Sequence, residues 1–400
     1  MNIRTAKKLL FLCLTAWLMV GCGSDDPPTA PNNNPGGGDP AVTAISPPGA
    51  GVGVRAKIIG TNFGTGKRAG SVKISGVEAE IESWSDTEIE FIVPPGVPAD
   101  AMVSFSVTTS AGKTVSSQID ITPPNTYRVT TDIASDQYPC WGQGADYIYF
   151  CSTRSGGANW DLYRIPASGG EVLRLTNYEG PDFYPDVRAS TGEVAWSSTE
   201  NHLGNNPDLD FEIFTGFLVA APGGAVTMGM LTQNVSRDLD PAWANTVHAG
   251  YNMTSTWEQV EVNGSFVAWR VMLHGIGLPT ELTEGRQPNF SGDGRWVVYN
   301  HQDNIYKIET TGGTPVQLTD TGRDWYPHWG WANDKIVFQR ASLTGSAEDI
   351  MVMNADGTDV QMLVATQSGE YCPSWSPDCS KVVYYAHRGS NFDIYVYVVP

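Results

Sequence analysis

The feature that most constrains this chain is a short pattern that occurs six times in its C-terminal part. An acidic residue is followed by two residues, a proline, one more residue and an aromatic residue, as in Asp136-Gln137-Tyr138-Pro139-Cys140-Trp141. Two copies depart from the pattern, since Val187 is not aromatic and Gly285 is not acidic. The six prolines are 39 to 56 residues apart and stand at Pro139, Pro185, Pro241, Pro288, Pro327 and Pro373. A period of this length is typical of one four-stranded propeller blade, so residues 126–400 are predicted to form six blades.

The composition agrees with a chain of strands and turns. Among 400 residues, 43 are glycine, 26 proline, 13 tryptophan and 16 tyrosine, which indicates an all-β protein with many turns. Acidic residues outnumber basic ones by 43 to 24, and the formal net charge is −19. Nucleic acid is therefore not expected as a partner, because phosphate binding depends on Lys and Arg. No apolar run approaches the length of about 20 residues that a membrane-spanning helix needs.

Other landmarks keep their order within each copy. A third strand opens with Asp or Asn, as in Asp161-Leu162-Tyr163, and a fourth ends in Leu-Thr, as at Leu175-Thr176. The last copy contains Ser376-Pro377-Asp378 in a predicted hairpin. These units resemble the WD-like repeats of TolB-type β-propellers, in which Ser-Pro-Asp-Gly is the usual hairpin and Cys379 here replaces the glycine. The resemblance implies a six-bladed ring and, as one possible role, envelope assembly.

The last copy ends one strand short of the others. It stops at residues 395–400 without a Leu-Thr ending, whereas residues 127–130, Tyr-Arg-Val-Thr, are similar to the Arg-Leu-Thr of residues 174–176. An open ring would expose strand edges to solvent. Residues 127–130 are therefore predicted to pair as the outer strand of blade six, which places both ends of the ring in one blade.

Residues 41–123 alternate short apolar strands with Gly/Pro turns, at a spacing typical of a β-sandwich. Four motifs appear in the order Ile45-Ser46-Pro47, Gly60-Thr61-Asn62-Phe63-Gly64, Trp84 and Val93-Pro94-Pro95-Gly96. The segment resembles an IPT/TIG domain, which implies an immunoglobulin-like fold that serves as a spacer or binding module. We expect a tight turn at the two glycines, with Phe63 as a core anchor. The predicted fold class is all-β, with an immunoglobulin-like IPT/TIG sandwich followed by a six-bladed β-propeller closed by an N-terminal strand.

Residues 1–22 are predicted to be a targeting segment. Three basic residues up to Lys8 precede an apolar run from Leu9 to Val20. The run ends in Leu18-Met19-Val20-Gly21-Cys22, which resembles a bacterial lipobox with Met19 in place of the usual leucine. The resemblance implies lipidation of Cys22 and anchoring in the cell envelope, with the outer membrane as the expected site and either a periplasmic or a surface-facing orientation. Residues 23–40, rich in Asp, Asn and Gly, are predicted to be a flexible tether.

Four cysteines follow the lipobox, at Cys140, Cys151, Cys372 and Cys379. An even number of cysteines in an exported chain is compatible with disulfides, and three pairings are possible. Cys140–Cys151 and Cys372–Cys379 are favoured, because each pair flanks one predicted hairpin. No Cys-x-x-Cys spacing occurs, so the cysteines are not expected to bind metal.

Aromatic residues are frequent at the two positions before each proline. The first strand of a blade lies nearest the ring axis, so these side chains are predicted to gather at one mouth of the channel. Flat aromatic faces flanked by Asp and Asn suit a sugar ring or an extended peptide. Packing between blades is the alternative. The candidate ligand-binding residues are Tyr138, Tyr184, Trp325, Tyr326 and Tyr371; Trp325 and Tyr326 are expected to be the most exposed, because adjacent strand residues point to opposite sides.

No catalytic motif is present, neither a Gly-x-Ser-x-Gly elbow, nor His-Glu-x-x-His, nor a full phosphate loop, and no cofactor is predicted. The acids repeated in the blades are interpreted as structural groups that bond backbone N–H groups at turns. They are Asp136, Asp182, Asp238, Asp324 and Glu370. Asn206, Asp208, Asp210 and Glu212 alternate as in a calcium loop, but the glycine turn and distal Glu of an EF-hand are missing. A solvated acidic loop is preferred there, and no metal is predicted.

The preferred function is that of a non-enzymatic, lipid-anchored binding or scaffold protein whose propeller binds a protein, peptide or glycan. One alternative is a metal-dependent polysaccharide lyase. It would use His301, His328 and His387 converging on the axis. The other alternative is a TolB-like assembly factor. It is weakened because TolB carries an α/β domain before its propeller, whereas this chain has the predicted sandwich.

Overall fold

The computed structural model describes most of the chain from residue 38 onward. The described ranges are 38–66, 70–99, 101–156, 159–201, 206–218, 227–260, 266–343, 347–366, 368–388 and 391–400. They belong to one compact unit, Gly36–Pro400. The predicted targeting segment, Cys22 and most of the predicted tether lie outside the described residues. Within those residues the only helix is a single 3-10 turn, Gln143–Ala145, and no helix is long and apolar enough to cross a membrane.

The first nine strands form a sandwich, as predicted. Its sheets have the orders β1-β3-β7-β6 and β2-β9-β8-β4-β5. Alternate residues of β7 point into the core, so that Ile89 and Phe91 are buried while Glu88 and Glu90 are only partly buried. Strands β1–β9 are Ala41–Ser46, Gly49–Ala50, Arg55–Thr61, Gly70–Ile74, Val77–Glu78, Glu80–Trp84, Glu88–Ile92, Ala101–Thr109 and Thr114–Ile121.

The turn after β3 anchors the sandwich core. Asn62 and Gly64 have positive φ values of 61° and 82°, so the chain reverses sharply around Phe63. The Phe63 side chain is fully buried. The indole Nε1 of Trp84 donates a hydrogen bond of 3.0 Å to the Phe63 carbonyl oxygen. Phe63 is thus the core anchor that the motif predicts.

The ring consists of six four-stranded antiparallel sheets. Blades one to three are β11–β14 (Asp136–Trp141, Tyr147–Ser152, Asp161–Pro166, Leu173–Arg174), β15–β18 (Asp182–Val187, Val194–Ser198, Glu212–Phe217, Thr227–Met230) and β19–β22 (Asp238–His248, Tyr251–Val260, Phe266–Gly275, Thr280–Glu284). Blades four and five are β23–β26 (Arg286–Phe290, Trp296–His301, Asn304–Glu309, Val316–Gln317) and β27–β30 (Asp324–Trp329, Lys335–Ala341, Glu348–Asn354, Gln361–Val364). Blade six combines β31–β33 (Glu370–Trp375, Lys381–Arg388, Asn391–Val398) with β10 (Thr126–Arg128). First strands of successive blades contact one another from β11 round to β31 and back to β11, so the ring is closed and the six-bladed propeller is confirmed.

A strand from the beginning of the ring completes blade six, as predicted. Tyr127 of β10 pairs with Val396 of β33 in antiparallel register. Just beyond β10, the Val129 N–H donates a 2.8 Å bond to the Ile394 carbonyl oxygen. The Thr130 hydroxyl oxygen accepts the Ile394 N–H at 2.9 Å. The chain entering the ring therefore fills the position of the missing fourth strand.

The same strand joins the ring to the sandwich, which the repeat pattern does not predict. Tyr127 and Arg128 of β10 lie opposite Ala50 and Gly49 of β2. Gly49 in turn lies opposite Asp120 of β9 in parallel register. The result is one nine-stranded sheet, β31-β32-β33-β10-β2-β9-β8-β4-β5, which runs from the ring axis to the far edge of the sandwich.

The acids that open the first strands are all buried, and most of them accept hydrogen bonds from neighbouring residues, whereas among the described residues no hydrogen bond is found to either carboxylate oxygen of Asp182. Two bonds of 2.6 and 2.8 Å join Arg154 to Asp136, and bonds of 2.6 and 3.0 Å join Arg340 to Asp324. The Thr366 N–H donates to the Glu370 carboxylate at 3.1 Å. These contacts agree with a structural role, but the donors that bond Asp136 and Asp324 here are arginine side chains and not the predicted backbone N–H groups. The relative exposure is at most 2% for each of Asp136, Asp182, Asp238, Asp324 and Glu370.

The prediction of two disulfides is wrong. The four described cysteines, Cys140, Cys151, Cys372 and Cys379, are all free and buried. Cys151 lies opposite Gln137 across the β11–β12 ladder, whereas Cys140 lies opposite Tyr149, so strand register separates the first pair. In blade six, Cys372 faces the ring axis, while Cys379 lies in a turn where its Sγ accepts the Ala332 N–H at 3.3 Å. Flanking one hairpin does not bring two side chains to the same place.

Candidate functional site

A cavity of about 110 Å³ lies where the six first strands meet. Every blade contributes three successive residues to it: the recurring proline and its two neighbours. We call this space the axial cavity. The residues before the prolines are Tyr138, Tyr184, Asp240, Gln287, Tyr326 and Cys372, and those after them are Cys140, Asp186, Ala242, Asn289, His328 and Ser374.

A β-bulge in every first strand produces this lining. The residue before each proline has a positive φ, between 46° and 54° in the six blades. Pairing with the second strand shifts at the same point, for example between Gln137 and Cys140. A left-handed backbone is strained for a residue other than glycine and persists only where the surrounding structure imposes it. Because the bulge interrupts the alternation of the strand, three successive residues of each blade reach the cavity.

Three of the predicted ligand-binding residues meet in the axial cavity. The ring centroids of Tyr138 and Tyr184 are 4.5 Å apart, with an interplanar angle of 57°. Tyr326, which comes from the fifth blade, also interacts electrostatically with Tyr138 and Tyr184. Burial raises the pKa of all three phenols. They therefore stay neutral and keep hydroxyl groups that can donate to a ligand.

Two carboxylates share the cavity with the tyrosines. Asp186 accepts the Trp243 N–H at 2.6 Å, and burial raises its pKa to about 7. Asp240 accepts the Thr256 hydroxyl at 3.0 Å. Burial raises the pKa of Asp240 to about 6, although this hydrogen bond and the charge of Arg286 act in the opposite direction. Both groups thus change charge close to neutral pH.

Polar side chains around the cavity also connect neighbouring blades. Asn289 accepts the Trp329 N–H at 2.9 Å, and His328 Nδ1 accepts the Trp375 N–H at 3.3 Å. Burial lowers the pKa of His328 to about 4, so the imidazole is neutral at pH 7. Gln287 Oε1 accepts the Tyr326 N–H at 3.0 Å. These bonds fix the wall of the cavity before any ligand binds.

The other two predicted ligand-binding residues lie outside the axial cavity. Trp325 is partly buried, and its Nε1 donates a 2.7 Å bond to Asp303 Oδ1. Tyr371 stacks on Tyr385 with ring centroids 5.1 Å apart. Trp325 and Tyr326 are thus both partly buried rather than exposed, and only Tyr326 reaches the axis. Being next to the proline, rather than being aromatic, decides which side chain enters the cavity.

Sequence reasoning missed several lining residues because it followed aromatic character. Asp240, Gln287 and Cys372 occupy the same repeat position as the three tyrosines. Asp186 occupies the position after the proline, which it shares with His328, a residue predicted to reach the axis in the lyase alternative. The repeat itself was the signal that could have found them, since equivalent positions of six blades surround one axis.

A second recess, of about 170 Å³, adjoins the axial cavity. It shares Tyr184, Asp240, Gln287 and Tyr326 with the cavity and adds Arg237, Leu239, Thr256, Trp269 and Arg286. We call it the mouth recess.

The histidines of the lyase hypothesis do not come together. His328 lines the axial cavity, but His301 packs edge-on against Tyr306 at 5.6 Å and His387 against Phe392 at 5.0 Å. Among the described residues, no group of three His, Cys, Asp or Glu side chains is arranged to hold a metal ion.

The alternating polar residues near residue 210 differ in burial and in their hydrogen-bond partners. The Asn206 amide donates to the Asp210 carbonyl oxygen at 2.8 Å, and Asp208 is exposed. Glu212 is buried and accepts the Asn234 N–H at 2.7 Å. Glu212 opens strand β17 and is buried, whereas Asp208 is exposed on the preceding loop.

This chain is similar in sequence to one curated protein and in structure to several solved proteins. Among curated proteins, an uncharacterized protein of Agrobacterium fabrum is 32% identical over 126 residues, which are 27% of this chain and 43% of the relative. The match thus covers less than half of that protein.

Solved structures with a similar fold include TolB of Acinetobacter baumannii (TM-score 0.46, 11% identity, 80% of this chain and 78% of that chain). An auxiliary nutrient binding protein of Bacteroides ovatus has a TM-score of 0.43 at 13% identity, over 90% and 98% of the two chains. Oligogalacturonate lyase of Vibrio parahaemolyticus has a TM-score of 0.44 at 11% identity, over 69% and 93%. Similarity at this level assigns no functional residue. Residues 40–123 match the family model of the IPT/TIG domain, which confirms that resemblance for the sandwich.

Proposed function

We propose that this chain is a non-enzymatic binding protein of the bacterial cell envelope, held to a membrane by lipid on Cys22. The axial cavity and the mouth recess form its ligand site. The ligand is a protein, peptide or glycan of which one group enters the cavity.

The observation that supports binding is the pre-formed axial cavity with three tyrosines and two aspartates. Ligand sites are typically concave and largely aromatic or apolar, with a few fixed polar groups. The lining of this cavity is held by inter-blade hydrogen bonds to Asn289, His328 and Gln287. A rigid lining lowers the entropic cost of binding.

Glycan and peptide arrays probed with the full-length protein in detergent test this function. Replacing Tyr184 and Tyr326 together with Ala is expected to weaken binding of any ligand found by tenfold or more, since each lost aromatic contact is worth about 1 kcal/mol. Replacing both with Phe keeps the packing and removes only the hydroxyl groups. Tyr147→Ala is the matched control, because Tyr147 is 39% exposed and lies outside both spaces. A ligand that binds the double Ala variant as tightly as wild type would place the site elsewhere.

A further inference from the structure

The axial cavity is acidic and aromatic at the same time. Asp186 and Asp240 line it, together with three tyrosines, but neither Lys nor Arg does. Its one basic side chain, His328, is neutral at pH 7 because burial lowers its pKa to about 4. Among the described residues, no ion pair involves either aspartate, and their hydrogen-bond donors Trp243 N–H and Thr256 hydroxyl are neutral. Neither carboxylate therefore has a cationic partner among the described residues that line the cavity.

The charged groups nearest the cavity are already engaged elsewhere. Arg237 and Arg286 face Asp240 from the mouth recess. Arg286 lies 3.1 Å from Asp303, and Arg237 lies 3.8 Å from Glu258. On the other side, Asp186 faces the thiol of Cys140. Cys372 and the three tyrosines complete the titratable groups of the lining, and burial raises the pKa of each so that it stays neutral.

The size of the cavity limits what can enter. The volume of about 110 Å³ is somewhat smaller than that of a cavity of about 150 Å³ that accepts one benzene molecule. A slender chain that ends in one charged group fits this space. A tyrosine ring attracts a cation through its face, and a carboxylate attracts it through its charge.

We propose that the axial cavity binds an alkylammonium group, with the tyrosine rings of Tyr138, Tyr184 and Tyr326 around it and the carboxylates of Asp186 and Asp240 beside it. The group comes from the side chain of a lysine in a peptide or from a small free amine. This inference rests on the proposed function, because it names the chemistry that the same site selects. It also predicts that anionic ligands are rejected.

Calorimetry with the full-length protein in detergent tests the proposal with defined probes. Butylammonium, butan-1-ol and butanoate have similar length and differ in charge. Butylammonium is expected to bind at least tenfold more tightly than butan-1-ol, and butanoate not at all. An acetylated and amidated Gly-Lys-Gly peptide, compared with the same peptide containing norleucine, separates the peptide source from the free amine. Equal affinity for the ammonium and the alcohol would overturn the proposal.

Asp186→Asn and Asp240→Asn remove charge with almost no change in shape. Each is expected to lower butylammonium affinity at least tenfold and to leave that of butan-1-ol unchanged. Asp359→Asn is the matched control, because Asp359 is exposed in a turn of blade five and makes the same change of charge. Unchanged ammonium binding in both cavity variants, with melting temperatures like that of wild type, would contradict the proposal.

A pH series on the wild-type protein decides the question if the variants do not fold. The raised pKa values of about 7 for Asp186 and about 6 for Asp240 mean that both carboxylates are ionised at pH 8 and protonated at pH 5. Ammonium binding is therefore expected at pH 8 and lost as the pH falls through 7 to 5, whereas constant affinity would overturn the assignment. The arrays and the calorimetry can fail separately. If the arrays find a macromolecular ligand that contains no amine, this inference is contradicted but the proposed function is not. If calorimetry shows ammonium selectivity but the arrays find no macromolecular ligand, only the proposed function is contradicted.

Discussion

Blade one and blade six have the same interior bonds but are assembled from different parts of the chain. In blade one, Leu175 N–H donates to the Leu162 carbonyl oxygen at 2.8 Å, and the Thr176 hydroxyl accepts the Leu162 N–H at 2.9 Å. In blade six, Val129 and Thr130 make the same two bonds with Ile394 at the same two distances. The bonds are thus independent of whether the outer strand is continuous with the rest of its blade.

The two blades differ at the arginine of the outer strand. Arg174 of blade one is bonded to Asp161 at 2.8 Å and has 36% of its side chain exposed. Arg128 of blade six is bonded to Asp393 at 2.7 Å and to Asp120 of the sandwich at 3.4 Å, with 19% exposed. The closing strand therefore carries one more contact than an ordinary outer strand, because it holds the ring and the sandwich at once.

Deleting residues 127–131 is expected to have the largest effect. The deletion opens the ring, exposes the edge of β33 and leaves Asp393 buried without its partner. The melting temperature should fall by about 10 °C or more, given a loss of about 3–5 kcal/mol for a broken buried pair alone. Deleting the sandwich strands 41–122 should cost less. A ring lacking only residues 127–131 that melts like the intact protein would show that closure is made in another way.

Arg128→Ala and Arg174→Ala compare the two blades directly. Both leave a fully buried aspartate without its arginine, but Arg128 is the less exposed and has the second partner. We expect a loss of about 3 kcal/mol for Arg128→Ala and about 1 kcal/mol for Arg174→Ala, because solvent screens the exposed pair. Denaturant titration of the two variants measures the difference. Equal losses would mean that the junction with the sandwich adds nothing to closure.

Thr130→Val and Thr176→Val test the interior bonds that the blades share. Each change removes an acceptor and leaves one buried backbone N–H without its partner, at Ile394 or Leu162. Each should cost about 1–3 kcal/mol, and the two values should agree within about 0.5 kcal/mol. A clearly larger loss for Thr130→Val would indicate that the outer strand of blade six is held less well by its remaining bonds.

The smallest expected effect concerns the pH dependence of blade six. Burial raises the pKa of Asp393 from 3.8 to about 6, although Arg128 acts in the opposite direction. The folded state then holds a proton that the unfolded carboxyl has lost, so this contribution to stability is complete below about pH 4 and disappears as the pH rises through 6. Melting temperatures at pH 5 and pH 8 should differ less in Asp393→Asn than in wild type. Asp359→Asn, in an exposed turn, should keep the wild-type difference.

The repeat carries enough information to predict the blades and the closure, because both depend on local bonds that recur with the pattern. Thr130 could be matched to Thr176 by sequence alone. The lining of the axial cavity could be predicted only in part, since strand alternation fails at the bulge, where Tyr326 has a φ of 49°. Regular alternation predicts an exposed Trp325, but its side chain is partly buried and bonded to Asp303. The prediction of disulfides was wrong for a similar reason, because the register of two paired strands, and not proximity in the chain, determines which side chains meet.

The nine-stranded sheet has a mechanical consequence. Besides the covalent chain through residues 122–126, lateral hydrogen bonds along β2 and β10 connect the sandwich with blade six. A rotation of the sandwich relative to blade six would thus have to break these hydrogen bonds, because the connecting chain is not the only link. The sandwich begins just before β1, where Lys113 Nζ lies 3.1 Å from Asp39 Oδ1. The sandwich and blade six are therefore joined by strand pairing as well as by the covalent chain.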